Sequence, residues 1–356
     1  MGPSILANEH AKREMRFLDQ TLERLGFVAA PPSWPPRRLS LALQGGGSFG
    51  AFAWGALERL LDERETSFDA ISGVSAGAVN AVLLASGLME GGREAARAQL
   101  ERFWKRMSRA AALTPSAVLA NLPFGLMTRA LSPYLFNPFN LNPLREALSD
   151  EVDFERLRTR SPTQLLIGAT RVSDGALRVF STGEVSVEVV LASACLPLIH
   201  HAIEIDGEPY WDGGYSANPP LIPLVRASKA EHLLIVQVTP TKSARLPTGP
   251  GEIAKRLEQI SFNAALNAEL EALKYGMLVG ATAKLRRLRI GRISAQEEFV
   301  GLVEESAGNL DWEFLERLRA SGADAVEAWH DETPRASGWT RRRLGWGLSW
   351  LGPSSA

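Results

Sequence analysis

From Arg38 an apolar run, "LSLALQ", passes into the triple-glycine stretch "GGGSFG" and on into "AFAWGALERL", which has helical character. A second short strand, "FDAIS", then runs into "GVSAGAVNAVLLASG", another glycine-bounded entry to an apolar helix. Two consecutive strand–glycine–helix units leave few architectures open, because each strand needs helices on both of its faces. The expected fold is α/β: three layers, α/β/α, around a central and mostly parallel sheet. Loops that follow successive parallel strands emerge on one edge of such a sheet. The triple-glycine loop and the "GVSAG" turn should therefore be neighbours.

Further strands are predicted at "TQLLIGATRV" and "ALRVFST", joined through Asp174-Gly175, and in "AIEIDGEPYWDGG", which turns at Asp206-Gly207. "HLLIVQVTP" has the fully apolar character of a buried central strand. "GEIAKRLEQISFNAALNAELEALKYGMLV" is a long helix, "LRRLRIGRIS" a late strand, and Asp311 to Trp329 a last helix. Residues 1–36 are expected to form a helical N-terminal extension, with Met15, Leu18, Leu22 and Leu25 at helical spacing, followed by the Pro-rich linker "AAPPSWPP". The main domain is expected over 37–305, and a C-terminal helix with a Trp/Arg-rich tail over 306–356. Within the main domain, 92–150 is rich in Pro, Asn and large apolar residues, which suits a lid, a pocket wall or a buried connector.

The triple glycine admits two functions. Gly45, Gly47 and Gly50 satisfy the G-x-G-x-x-G spacing that brings a dinucleotide's pyrophosphate to a helix N-terminus. The same loop can instead aim bare backbone amides at an oxygen that becomes negative during acyl transfer. Gly73-Val74-Ser75-Ala76-Gly77 decides between them. It is a G-x-S-x-G sequence between strand and helix, the context of a nucleophile elbow. Gly73 and Gly77 remove the Cβ atoms that would clash where the chain reverses, leaving Ser75 at the apex. A dinucleotide site also needs an acid at the C-terminal end of the second strand. Asp69 precedes "AIS" and so stands at the wrong end.

Serine needs a base. An α/β-hydrolase triad would place its histidine last, making His232 or His330 the candidates. His232 opens an apolar strand at the wrong end, and His330 closes a polar helix. His200 and His201 suit a pocket rim or a structural role. Asp212, in "YWDGGYSANPP", is the better partner. The nearby hairpin already turns at Asp206-Gly207, so Asp212 ends a strand, and Gly213 and Gly214 let the backbone swing away from it. A free aspartate titrates at about 3.9, which makes it a weak base for a hydroxyl. A Ser–Asp dyad therefore demands strong stabilisation of the oxyanion as it forms.

Together these blocks resemble the patatin-like phospholipase family. They are Gly45-Gly46-Gly47-Ser48-Phe49-Gly50, Gly73 to Gly77, "ASACLP" at Ala192 to Pro197, and Asp212-Gly213-Gly214, spread over roughly residues 38 to 240. The resemblance implies a lipid acyl-ester hydrolase without cofactor or metal. Ser75 would be its nucleophile, Asp212 its base, and the amides of Gly45, Gly46 and Gly47 its oxyanion hole. Many members carry Arg or Lys where this chain has Phe49. That departure keeps a second reading open, a catalytically silent lipid- or membrane-binding protein of the same fold.

Composition narrows the partners. In 356 residues, 39 Lys and Arg stand against 40 Asp and Glu, so no overall charge points to nucleic acid. Cys195 is the only cysteine, which rules out an intrachain disulfide. The polar N-terminus and the lack of any apolar run near 20 residues lead to the expectation of a soluble cytoplasmic protein. In the tail, Trp339, Trp346 and Trp350 share a helical face beside Arg341, Arg342 and Arg343. That segment suits peripheral membrane contact, or equally tryptophans packed back on the domain.

Overall fold

The structure is a computed structural model that describes residues 27–28, 36–113, 132–243, 246–295, 307–332 and 340–341. The chain divides into two compact units, Pro35–Asp331 and a smaller one made of Met1–Trp34 with Glu332–Ala356. In the smaller unit, strands β1 (Phe27–Val28) and β10 (Thr340–Arg341) pair antiparallel. The predicted N-terminal helix, most of the Trp/Arg segment and residues 114–131 of the expected lid region lie outside the described residues.

The larger unit is built on an eight-stranded sheet: β2 (Arg38–Leu43), β3 (Ser67–Gly73), β4 (Gln164–Arg171), β5 (Leu177–Ser181), β6 (Ile203–Ile205), β7 (Glu208–Asp212), β8 (His232–Gln237) and β9 (Arg289–Ser294). Its order is β6-β7-β4-β3-β2-β8-β9, with β5 also on β4. The β2–β3, β2–β8, β3–β4 and β8–β9 pairs are parallel. The two predicted hairpins supply the antiparallel part. The expected α/β/α arrangement with a mostly parallel sheet is the one observed.

Alternation along the central strands sorts the two faces. Ala42, Ala70, Leu233 and Ile235 pack against helices α7 (Leu221–Ala227) and α8 (Pro250–Leu278). The intervening Leu41, Leu43, Ile71, Leu234 and Val236 are also fully buried, on the face that carries α1 (Gly50–Leu60) and α2 (Ala76–Leu113). Helix α2 is bent at Gly91 and Gly92, where φ at Gly92 is 75°. Residues 133–160 contribute three short helices, α3 (Pro133–Phe136), α4 (Pro143–Glu151) and α5 (Phe154–Arg160), and α6 spans Val187–Ser193. The "LRRLRIGRIS" segment is partly helical, α9 (Ala283–Arg287), before it becomes β9.

The last helix, α10 (Trp312–Glu332), is grouped by sequence with the C-terminal tail; its residues to Asp331 fall in the larger unit. The reason is close contact. A Cβ on Gly322 would lie 1.9 Å from the Phe52 carbonyl oxygen, and one on Gly55 would lie 1.7 Å from that of Arg319. Around this crossing Arg319 Nε pairs with Glu58 at 2.6 Å, with its guanidinium over the Trp54 ring. No helix among the described residues is long and apolar enough to cross a membrane.

Candidate active site

One edge of β4 brings the two predicted reactive side chains together. Strand β3 pairs with the first half of that edge, ending with Gly73 opposite Ile167. Strand β5 covers the other edge along Leu166–Thr170, so β7 continues where β3 stops, with Asp212 opposite Ala169. The elbow that follows Gly73 and the end of β7 therefore flank Gly168. That seam has no room for side chains: a Cβ on Gly168 would sit 3.0 Å from the Val74 side chain, and one on Gly213 would sit 2.3 Å from the Gly168 oxygen.

Ser75 has φ 53°, the left-handed conformation that an L-residue holds only under constraint. Gly77 N–H donates to Val74 O at 2.8 Å, and Val79 N–H to Ser75 O at 3.1 Å as α2 begins. From the other side Ser193, in the "ASACLP" block, accepts the Ser75 N–H on both its carbonyl oxygen (3.1 Å) and its Oγ (3.0 Å). Ser193 Oγ in turn donates to Gly168 O at 2.6 Å. Ser193 is thus a second fixing point for the elbow.

Asp212 is completely buried. Its N–H donates to Cys195 O at 2.8 Å, its carbonyl accepts from Thr170 Oγ1 at 2.7 Å, and its Oδ1 accepts from the Gly214 N–H at 2.7 Å. Oδ2 has no hydrogen-bond partner among the described residues. Burial pushes this carboxyl up to about 7, against the lowering effects of the Gly214 amide and of the nearby Ser75 hydroxyl, with Glu258 adding a further upward push. Ser75 is thus close enough to act on the carboxyl without closing a full hydrogen bond to Oδ2. No histidine is among the groups that shift Asp212. His201 instead stacks on Tyr134 at 4.1 Å, and His232 opens β8 at the far end of the sheet. Burial and the Asp212 charge push Cys195 up to about 12, which keeps its thiol neutral.

The glycine loop reaches the elbow, since a Cβ on Gly45 would lie 2.7 Å from both Ser75 Cβ and Val74 O. Its amides are not equivalent. The Gly45 N–H donates to Asn218 Oδ1 at 2.7 Å, so it is unavailable to a substrate oxygen. The Ser48 N–H donates to Ala307 O at 2.8 Å. The Gly46 and Gly47 amides have no acceptor among the described residues. Behind the loop lies a buried amide network. Gln44 Oε1 accepts from the Val238 and Thr239 amides at 2.9 and 2.8 Å, and Gln44 Nε2 donates to Asn263 Oδ1 at 2.9 Å. Asn263 in turn donates to Pro240 O at 3.0 Å.

Phe49, which replaces the basic residue common in the resembling family, is 4% exposed and packs edge-on against Phe314 at 6.4 Å. Its ring packs on α10 through Phe314, while its Cβ lies beside Gly46, 3.6 Å from where a Cβ on that glycine would stand. Asp69, the ribose-binding candidate of the dinucleotide reading, stands at the start of β3 and accepts from Ser228 Oγ at 2.9 Å. That is the sheet end opposite the loop. Among the described residues no group of three or more His, Cys, Asp or Glu is placed to hold a metal ion.

The family model "Patatin-like phospholipase" matches residues 41–225, just over half of the chain. No curated protein matches. Among solved structures, VipD from Legionella pneumophila is 16% identical, with 84% of this chain and 67% of that one covered and a TM-score of 0.42. ExoU of Pseudomonas aeruginosa, solved with SpcU, is 17% identical at a TM-score of 0.35. The match covers 88% of this chain and 55% of ExoU, so the chain spans little more than half of that protein. The family model's span takes in the glycine loop, the serine elbow, the Ser193 block and Asp212, and the chain belongs to the patatin-like phospholipase family.

Proposed function

We propose that the chain is a serine acyl-ester hydrolase acting on lipids through a Ser75–Asp212 dyad. The observation that carries this reading is a serine held at φ 53° beside a fully buried carboxyl that titrates at about 7. A carboxylate with that proton affinity is a far better base than a free aspartate. Its unpartnered Oδ2 is the atom to receive the Ser75 proton.

Ser75 Oγ attacks the ester carbonyl as its proton passes to Asp212. The tetrahedral oxyanion is held by the Gly46 and Gly47 amides, the two loop donors left open once Asn218 has taken Gly45. Two donors, each worth on the order of 10²–10³ in rate, supply a substantial part of the acceleration. Collapse of the intermediate expels the alcohol, which takes the proton from Asp212. Water then repeats the sequence on the acyl-enzyme and releases the acid.

The silent-binder alternative leans on Phe49. That side chain is buried and packs edge-on against Phe314, and the hole proposed here is built from backbone amides, so the loss of a cation at this position removes no hole donor. The test is labelling with a fluorophosphonate, which should modify the wild type and not Ser75→Ala. Turnover should vanish in Asp212→Asn and persist in His200→Ala and His232→Ala. An unlabelled wild type would sink the reading.

A further inference from the structure

We infer that Asn218 is a positioning residue that shapes the oxyanion hole by gripping the Gly45 peptide; this rests on the hydrolase reading above. Asn218 Oδ1 accepts the Gly45 N–H at 2.7 Å, and Asn218 Nδ2 donates to the Gly45 carbonyl at 3.3 Å. One carboxamide thus satisfies both polar groups of a single residue. The Gly45 oxygen takes a further bond from Thr239 Oγ1 at 3.1 Å. Asn218 is fully buried, so its amide has no water with which to exchange these partners.

The grip has three consequences. It withdraws the Gly45 N–H from the hole and leaves donation to Gly46 and Gly47. It fixes the orientation of the Gly45 peptide, from which the next two amides follow along a loop of glycines that has little stiffness of its own. And it couples the hole to the base, because Asn218 lies in the turn that begins at Asp212. There the Ser216 and Ala217 amides both donate to Gly213 O, at 3.0 and 2.9 Å. Donors held in place before the reaction stabilise a developing charge without reorganising, and this is the benefit that disappears when their support loosens.

The experiment compares wild type with Asn218→Ala and Asn218→Leu, using fluorophosphonate titration to count active sites so that misfolded molecules drop out. Per active site, kcat on a short-chain ester should fall about 10- to 100-fold, with KM changed less than about threefold. Affinity for a boronic acid that mimics the tetrahedral state should weaken in parallel with kcat. A purely structural role would lower the number of active sites and the melting temperature while leaving kcat and inhibitor affinity per site at wild-type values; that result overturns the inference. Should the wild type react with no fluorophosphonate, the hydrolase reading fails separately, and hydrogen exchange decides the grip. The Gly45 amide should exchange about 5- to 10-fold faster in Asn218→Ala than in wild type. Equal exchange overturns it.

Discussion

Replacing Asp212 by Asn separates what this carboxyl does for chemistry from what it costs the fold. The side chains are nearly isosteric, and the amide oxygen can keep the bond from the Gly214 N–H. What disappears is the charge. A carboxyl that titrates at about 7 instead of 3.8 is harder to ionise in the folded protein by about three pH units, or about 4 kcal/mol at 1.4 kcal/mol per unit. The sign follows from proton counting. Below about pH 4 the group is protonated in both states and the difference vanishes. Between about pH 4 and 7 the unfolded chain has released the proton and the folded one retains it, so wild-type stability falls as pH rises through this window. Above about pH 7 both forms are ionised and the cost is constant. The carboxamide of the variant never titrates. Urea unfolding from pH 4.5 to 8.5 should therefore show Asp212→Asn gaining on wild type as pH rises, by up to about 4 kcal/mol at the alkaline end. In parallel, wild-type kcat/KM should rise with pH around an apparent value near 7, since only the ionised carboxylate accepts the serine proton. A stability difference that ignores pH, or a wild-type activity profile that bends near pH 4, would refute the burial account of this site.

Three other perturbations test the surrounding framework. Ser75→Gly should remove about 1 kcal/mol of left-handed backbone strain, raising the melting temperature while abolishing fluorophosphonate labelling. Phe49→Arg, which restores the basic residue frequent in the family, would force a guanidinium against the Phe314 ring. Thermal melts should show a loss of roughly 3 kcal/mol or more, with no gain in ester turnover. Within the glycine loop, the nearest atoms to a Cβ at Gly46 belong to side chains, Val238 at 2.9 Å first, whereas a Cβ at Gly47 meets the Ala307 carbonyl oxygen at 2.3 Å with φ at 59°. Soluble yield and activity should therefore survive Gly46→Ala far better than Gly47→Ala.

The strand–glycine–helix repeat makes the sheet legible, since local apolar runs and glycine breaks declare parallel strands before any contact is known. Both hairpins are legible for the same reason: Asp174-Gly175 and Asp206-Gly207 are turns whose chemistry is local. What local pattern cannot carry is which edge of β4 each neighbour takes. The seam at Gly168, where β3 gives way to β7, depends on pairings between segments far apart in the chain. Asn218 is hidden in the same way. In "YSANPP" it reads as a turn residue before prolines, and its partner Gly45 lies 173 positions earlier. Phe49 looks like a substitution within the site because it stands in the glycine loop, but its ring packs in space on Phe314 of the last helix.

As sequence, the triple glycine reads as three donors in a row, which assigns all of its residues to one task. Their surroundings assign them different ones. Gly45 lies against the elbow, where a Cβ would strike Ser75 and Val74; Gly47 lies against Ala307; and Gly50, where α1 begins, lies 2.7 Å from the Ala76 side chain by the same measure. The loop is therefore a junction at which the elbow, the segment leading to α10 and the first two helices meet at backbone distance. Any side chain at Gly45 or Gly47 would push those elements apart. Open amides at Gly46 and Gly47 follow from that crowding, because a chain bound on one side by Asn218 and on the other by Ala307 keeps both peptides in a fixed orientation. On this account close packing comes first, and the oxyanion hole proposed above would be a consequence of it.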